Sequence, residues 1–344
     1  MKIAVVGCGG IGGVVACALA SKGLNVTCIE VVDKAVQVLN EDGIRLEGKK
    51  GCHHVRVRAF SRLSNAKESF DTIVIAVKSN SLASAFEDAC YHLCKDGFIL
   101  TLQNGLEILG IAERHPDVRI VGGAVGYNAQ MLEFGRYRVS SEGGITVGNI
   151  SCATEGDVFL LKSVFEPLIQ VETTTNIRGV LWAKLLVVCG VTGLGGASGL
   201  LVGELLKKRI ARRLFYQIVT EGVLVARKLE VRIEKFAGRV NPEKFANLKG
   251  GYPLLLRWML LNVVGMKYMN LKSNIHHDLE RGQNTEVDFL NGKILMLGEI
   301  TGIPTPANRK LVEVVKEIED RKRPLSPENL SVIWNAVQRE KEIH

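Results

Sequence analysis

Apolar and polar positions follow two kinds of block along the first half of the chain. Ile3 to Val6, Asn25 to Glu30, Thr72 to Val77, Phe98 to Leu102 and Val118 to Val121 are short, mainly apolar segments without regular polar alternation, as in strands buried on both faces. Between them lie stretches with helical spacing, one running from the glycines after Val6 to Lys22 and another from Ser81 to Cys94. Strands alternating with helices imply a doubly wound parallel sheet, whose ligands lie beyond the carboxyl ends of the strands. Arg136 to Ser140 and Ile145 to Val147, on either side of Glu142-Gly143-Gly144, read as an antiparallel pair extending that sheet.

Strand signals stop near Val171, and Glu172-Thr173-Thr174-Thr175 reads as a linker. From Asn176 onward the pattern is helical, with helices expected over Arg178 to Cys189, Gly203 to Leu229, Pro253 to Leu261, Thr285 to Gly302 and Ala307 to Asp320. Gly193 to Gly199 reads as a glycine-rich bend that lets two helices pack closely or serves as a substrate loop. Leu325 to His344 is a short amphipathic tail after Pro324.

The turn after the first strand is Gly7-Cys8-Gly9-Gly10-Ile11-Gly12, a G-x-G-x-x-G that follows an apolar run and opens a helix. Its glycines stand where a backbone must approach a pyrophosphate closely, and the helix N-terminus supplies N–H donors to it. Glu30 ends the second strand, 18 positions after Gly12, where a carboxylate accepts from the adenosine ribose hydroxyls. It also repels a 2′-phosphate, so NAD(H) is expected over NADP(H), which stays allowed. Lys78 and Asn104 follow the next two strands and join the same crevice as cofactor contacts. The fold class is therefore α/β, a Rossmann-type doubly wound sheet over residues 1–175 followed by an all-helical domain for substrate and dimerisation over residues 176–344.

Composition narrows the partners. A chain of 344 residues, 47% hydrophobic and 23% charged, is long enough for two domains and has no disorder signature. Its net charge of +8 suits an anionic cofactor and substrate. The cations are scattered except at Lys207-Lys208-Arg209 and Arg212-Arg213, a solvated helix face with no interleaved aromatic residues, so nucleic acid is not expected. The eight cysteines lie mostly in apolar segments without a C-x-x-C and read as reduced, buried residues of a cytoplasmic protein. Cys52-His53-His54 and His276-His277 lack metal-ligand spacing, and no metal is expected. The N-terminal apolar stretch is explained by the nucleotide fold rather than by a signal peptide. Leu254 to Met266 is too short and too interrupted to span a membrane and reads as a core or subunit-interface helix, so a homodimer is allowed.

Trp182-Ala183-Lys184-Leu185 places a lysine among apolar residues early in the first helix of the second domain, either snorkelling to solvent or partly desolvated. About 100 residues later Asn284-Thr285-Glu286-Val287-Asp288 opens an apolar helix, which capping alone explains. Taken together, Asn176-Ile177-Arg178, Leu181-Trp182-x-Lys184-Leu185, Thr285-Glu286-Val287-Asp288, Asn291-Gly292, the glycine loop, Lys78 and Asn104-Gly105 resemble the ketopantoate reductases over roughly Met1 to Asp320. The resemblance implies a substrate cleft, with Lys184 as general acid, Glu286 binding cofactor or substrate and orienting the lysine, and Asn104 touching nicotinamide ribose and substrate. Hydride delivery to a 2-oxo carbon builds negative charge on oxygen, which an ammonium stabilises and protonates.

Departures from the family pattern bear on the substrate. Val188, Thr192 and Val202 stand where the family carries asparagines, Asn274 where it carries a carboxylate-binding serine, and Val31 where it carries a phosphate-binding arginine. The expected function is NAD(P)H-dependent reduction of a 2-oxo acid, by family weight ketopantoate. The alternatives are an NAD-dependent D-2-hydroxy acid dehydrogenase acting on another branched or aromatic 2-oxo acid, and a nucleotide sensor without turnover.

Overall fold

The structure, a computed structural model, describes residues 1–236, 241–246 and 248–343. It divides into two units, Met1–Leu181 and Trp182–His344. The first contains β1 (Lys2–Val6), α1 (Gly10–Ser21), β2 (Asn25–Ile29), α2 (Asp33–Glu41), β3 (Ile44–Gly48), β4 (His53–Val55), β5 (Arg58–Phe60), β6 (Phe70–Ile75), α3 (Leu82–His92) and β7 (Leu93–Thr101). It continues through α4 (Glu107–Arg114), β8 (Ile120–Val125), β9 (Ala129–Glu133), β10 (Arg136–Val139), β11 (Ile145–Ser151), α5 (Glu155–Phe165) and β12 (Val171–Thr173).

Eight strands form the main sheet in the order β12-β11-β8-β7-β6-β1-β2-β5. Those from β8 to β5 are parallel, and β11 joins β8 antiparallel. The apolar runs of β1, β2 and β6 are buried along nearly their whole length, which is why they carry no polar alternation. Because β1 has β2 on one side and β6 on the other, the chain reverses its direction of winding at β1, and its carboxyl end opens a crevice.

A second sheet, β4-β3-β10-β9, corrects the expected pairing of Arg136 to Ser140 with Ile145 to Val147. β10 pairs with β9 and β3, whereas β11 belongs to the main sheet. The alternation in β10 explains the difference, because Tyr137 and Val139 are buried while Arg136 and Arg138 are exposed. That one-sided strand packs its inner face onto α1: a Cβ added at Gly13 would lie 2.2 Å from the Tyr137 ring.

Helix α6 (Ile177–Val188) leads into a π-helical turn, Cys189–Gly193, and then α7 (Leu194–Ser198), α8 (Val202–Lys207) and α9 (Arg209–Lys228). Then come α10 (Pro242–Phe245), α11 (Leu254–Lys267), α12 (Asn274–Glu280), α13 (Asn291–Thr301), α14 (Pro306–Glu319) and α15 (Asn329–Ile343). The expected helix over Gly203 to Leu229 is two helices, since Lys208 is extended and Arg212 Nε donates to the Leu206 carbonyl left over at the break. Gly193 to Ser198 is helical rather than a bend, and Gly199 ends it in a left-handed conformation. Its glycines give close packing: a Cβ on Gly196 would come within 2.1 Å of Ile275, and one on Gly195 within 2.9 Å of Ser273 Oγ. The helix expected from Thr285 begins only at Asn291, because residues 284–290 form an irregular turn.

One further expectation is corrected by burial. Cys8, Cys17, Cys28 and Cys189 are buried, but Cys52 and Cys152 are exposed and Cys90 and Cys94 half-buried; all eight are free thiols. Helix α11, expected as a core or subunit-interface helix, buries Arg257, Leu261 and Gly265 and leaves its other face exposed. The run 177–198 is long and apolar enough to cross a membrane, yet most of it is buried in the protein, as a core helix is.

The Gly13–Tyr137 contact leaves no room for a methyl group, so Gly13→Ala is expected to destabilise the fold by about 1–3 kcal/mol through overpacking. Equilibrium denaturation checks this, and an unchanged midpoint would contradict the packing described.

Candidate active site

The glycine loop begins at the end of β1. Gly7 has φ +89°, and a Cβ there would strike the Val77 backbone nitrogen at 2.9 Å. A Cβ on Gly12 would lie 1.9 Å from the Gly7 carbonyl oxygen, so the start of α1 presses directly on the loop. Gly9, by contrast, has open space where its Cβ would be, and its backbone can be approached closely. Those are the demands a pyrophosphate makes on such a loop. Cys8 and Ile11 stand between the glycines; the Cys8 thiol is pushed up by its neighbour Cys28 and by burial, which keeps it protonated. Gly10 abuts β9, where its Cβ would meet the Ala129 carbonyl oxygen at 2.6 Å.

Two side chains hold this loop. Glu30 Oε2 accepts a hydrogen bond from the Cys8 backbone N–H at 3.0 Å, and Tyr137 Oη donates to the Cys8 carbonyl at 2.7 Å. Glu30 thus sits beside the loop, as its place after β2 implied, and it also fixes the loop backbone. Tyr137 was not singled out from the sequence. Its signal there was the alternation Arg136-Tyr137-Arg138-Val139, which puts Tyr137 on the apolar face of the strand.

Lys78 and Asn104 follow β6 and β7, so with Gly7 and Glu30 they occupy the carboxyl ends of four adjacent strands. Ser79 Oγ donates to the Asn104 carbonyl at 3.1 Å, tying the two loops together. Gly105 has φ +97°, the conformation an Asn-Gly turn needs. Lys78 is exposed and Asn104 half-buried. His53 Nε2 and His54 Nε2 hydrogen-bond with the carbonyls of Lys50 and Asp42.

In the second unit the structure brings Lys184 and Glu286 together. Lys184 is only 6% exposed, and burial pushes its ammonium down to about 8, with Glu286 holding it partly up. The turn that carries Glu286 is pinned on both sides to α14. The Thr285 N–H donates to Glu319 at 2.7 Å, Lys316 bridges Glu319 at 2.9 Å, and Lys316 also pairs with Asp288. Thr285 Oγ1 accepts from the Val287 N–H at 3.2 Å, a capping bond that orders the turn. The carboxylate therefore stands on a braced turn rather than in the first turn of a helix.

Beyond Lys184 the run 182–198 is buried except for Val187, Val188, Val191 and Thr192, which are half-exposed. These four form one stripe at helical spacing. The π-helical turn beneath it is held by side chains from elsewhere: Ser273 Oγ donates to the Thr192 carbonyl at 3.2 Å, and Asn291 Nδ2 contacts the Cys189 carbonyl at 3.4 Å and Asn308 Oδ1 at 2.9 Å. Ser273 also caps α12, whose first residue, Asn274, is exposed. Val202, by contrast, is buried at the start of α8, its N–H donating to the Leu271 carbonyl at 2.9 Å.

These features define a dinucleotide-binding α/β domain followed by a helical domain with a desolvated lysine–carboxylate pair. Two family models match the chain, "Ketopantoate reductase PanE/ApbA" over residues 3–151 and "Ketopantoate reductase PanE/ApbA C terminal" over residues 176–319. The chain belongs to the ketopantoate reductase family of oxidoreductases, which reduce 2-oxo acids with NAD(P)H. It is 26% identical to a 2-dehydropantoate 2-reductase of Pyrococcus horikoshii, over 93% of this chain and 98% of that one. It is 25% identical to that of Halobacterium salinarum, over 92% and 98%. The crystal structure of a PanE/ApbA family ketopantoate reductase from Ralstonia eutropha JMP134 superposes with a TM-score of 0.79 at 28% identity, covering 93% of this chain and 99% of that one. A D-mandelate dehydrogenase solved with NADH and anilino(oxo)acetate shares the fold, with a TM-score of 0.80 at 21% identity over 93% and 99%.

A lysine that gives up its proton near pH 8 makes rate depend on pH. If Lys184 is the acid, kcat for reduction should be level below about pH 8 and fall tenfold per unit above it, because only the ammonium donates. Oxidation of the hydroxy acid should show the opposite limb. Lys184→Ala should lower kcat by about 10²- to 10⁴-fold and abolish that titration. Wild-type rates in the variant would remove Lys184 from the chemistry.

Proposed function

We propose that the protein reduces a 2-oxo acid to the 2-hydroxy acid with NADH preferred over NADPH, and that its pocket accepts an apolar branched side chain at least as readily as the hydroxylated chain of ketopantoate. The observation that carries the reading is the buried Lys184 ammonium beside Glu286, followed along the same helical run by the accessible stripe Val187, Val188, Val191 and Thr192. The relatives named as 2-dehydropantoate 2-reductases support ketopantoate as a substrate. The valine stripe favours a second reading as well, a D-2-hydroxy acid dehydrogenase for another branched or aromatic 2-oxo acid.

The residues fit a dinucleotide. Gly7, Cys8, Gly9, Gly10, Ile11 and Gly12 would hold its pyrophosphate against the N-terminus of α1, Glu30 its adenosine ribose, and Lys78 and Asn104 its nicotinamide half. When bound, it supplies the hydride. Lys184 Nζ holds the proton destined for the substrate carbonyl oxygen, and its charge stabilises the oxyanion that builds there. Glu286 keeps that nitrogen protonated and in place. Burial of Lys184 excludes water that would weaken the charge interaction. Asn274, exposed at the capped start of α12, is the candidate for the substrate carboxylate.

Valine offers a hydroxyl neither donor nor acceptor, so a terminal hydroxyl buried against Val188 loses its hydration at a cost on the order of 1–3 kcal/mol. Val202, the other valine in place of a family asparagine, is buried at the start of α8 and offers a substrate no polar group either.

A panel of 2-oxo acids assayed with both cofactors tests these statements. 2-Oxoisovalerate should match or exceed ketopantoate in kcat/KM, and a several-hundredfold advantage for ketopantoate would overturn the apolar pocket. Asn274→Ala should raise KM for every acid tested. NADH should give the higher kcat/KM. Val31→Arg, at a position 81% exposed beside Glu30, should shift the ratio toward NADPH. A parent enzyme that already prefers NADPH would refute the role given to Glu30.

A further inference from the structure

Lys184 and Glu286 come from segments far apart in the chain, and each is followed five positions later by one end of the same contact, Cys189 after the lysine and Asn291 after the carboxylate. Asn291 is the first residue of α13 and fully buried, and its amide takes no part in capping that helix. Its Nδ2 donates to Asn308 Oδ1 at 2.9 Å and contacts the Cys189 carbonyl at 3.4 Å. Its Oδ1 is buried without a hydrogen-bond partner, and a Cβ on Gly193 would lie 2.7 Å from it. The amide is thus wedged against both ends of the π-helical turn Cys189–Gly193, a kind of turn that recurs at functional sites.

We infer that Asn291 is a positioning residue: its amide ties the turn that carries Glu286 to the helical run that carries Lys184, and so sets how closely the carboxylate stands to the ammonium. The effect on rate rests on the reading of Lys184 as the acid; the tie itself does not. Its orientation is fixed from the far end. Glu221, 2% exposed on α9, accepts from the Ala307 and Asn308 N–H groups at 2.9 and 3.0 Å, from Asn308 Nδ2 at 2.7 Å and from Gln217 Nε2 at 3.0 Å. Donors face both of its oxygens, so Asn308 must turn its Nδ2 to Glu221 and its Oδ1 to Asn291, which must answer with Nδ2.

Neither segment between the tie and the reacting groups is free to absorb a displacement. The Glu286 carbonyl accepts from the Phe289 and Leu290 N–H groups at 3.0 and 3.1 Å, and the Val287 carbonyl from the Gly292 N–H at 2.9 Å. On the other side α6 runs unbroken from Lys184 to Val188. Helix α9 backs that run directly, since a Cβ on Gly222, next to Glu221, would lie 2.1 Å from Leu186 Cδ2. Glu286 supplies the charge that holds the Lys184 ammonium up. Nearby charges are engaged elsewhere: Lys316 pairs with Asp288 and Glu319, Glu280 on α12 with Lys272 and His276, and Glu221 with its N–H donors. The titration of Lys184 therefore reports how near Glu286 stands.

NMR of the lysine ε-methylene groups in isotope-labelled full-length protein, with the Lys184 signal assigned by its loss in Lys184→Ala, reads that titration without relying on turnover. Asn291→Leu fills much the same volume but has neither donor. Glu286 should then recede and the Lys184 titration fall by about one pH unit from its parent position of about 8, because an opposite charge at close range is worth about one to three pH units. If circular dichroism shows that this variant does not fold, Gly193→Ala decides instead. Its methyl would lie 2.7 Å from Asn291 Oδ1 and 2.6 Å from Leu311, so the amide must give way and the titration should fall in the same direction. A Lys184 titration unchanged or raised in the folded variant would overturn the proposal. The role of Lys184 as the acid is judged separately. The alkaline limb of kcat should follow the same shift, and a titration that falls while the limb stays in place would refute that role and leave the tie through Asn291 standing.

Discussion

A cationic nitrogen held in an apolar helix is the constraint around which the helical unit is organised. Lys184 lies among Leu181, Leu185 and Leu186, and the protein offsets its desolvation only in part, through one carboxylate. That carboxylate must be held in place, which accounts for the ties from Thr285 and Asp288 to Glu319 and Lys316. Folding carries the cost. The lysine titrates near 10.5 when unfolded and about 8 when folded, so between those values the unfolded chain binds more protons. Stability therefore rises with pH through that window, and below it the penalty is constant at about 3 kcal/mol. A group that weakens the fold in this way is where reactivity is commonly stored.

The nucleotide-binding half shows the same economy with backbone in place of charge. The contact between Gly12 and Gly7 brings the helix N-terminus against the strand end, and the open space at Gly9 is what remains for a ligand. The second sheet completes the arrangement, since Tyr137 fills the space over Gly13 and holds the Cys8 carbonyl.

Much of this was legible in the sequence, for definable reasons. β1, β2 and β6 are short, mainly apolar segments, and the glycines after β1 have a spacing that few other structures require. Lys184 and Glu286 were reached through family resemblance, because a lysine in an apolar helix and a carboxylate near a helix start each have an ordinary explanation. Tertiary contacts decided what local pattern could not. The break at Lys208 has no proline or glycine to mark it, and the Leu206 carbonyl it frees is taken up by Arg212. Thr285 does cap the turn through the Val287 N–H, but a regular helix begins only at Asn291, and the Thr285 N–H is taken by Glu319 from α14. The partner of Tyr137 lies 129 positions away in the chain, and only the folded chain brings it near.

The bond from the Cys8 N–H to Glu30 has a consequence for any attempt to redesign the nucleotide preference. The carboxylate that would select between ribose and phosphate also ties down the loop that would cradle the pyrophosphate, so selectivity and loop order are not separable variables. Replacing Glu30 with a small residue removes the repulsion and loosens the loop together, and whatever is gained in tolerance is lost in preorganisation. A substituent that still accepts from that N–H without carrying charge, such as glutamine, separates the two effects.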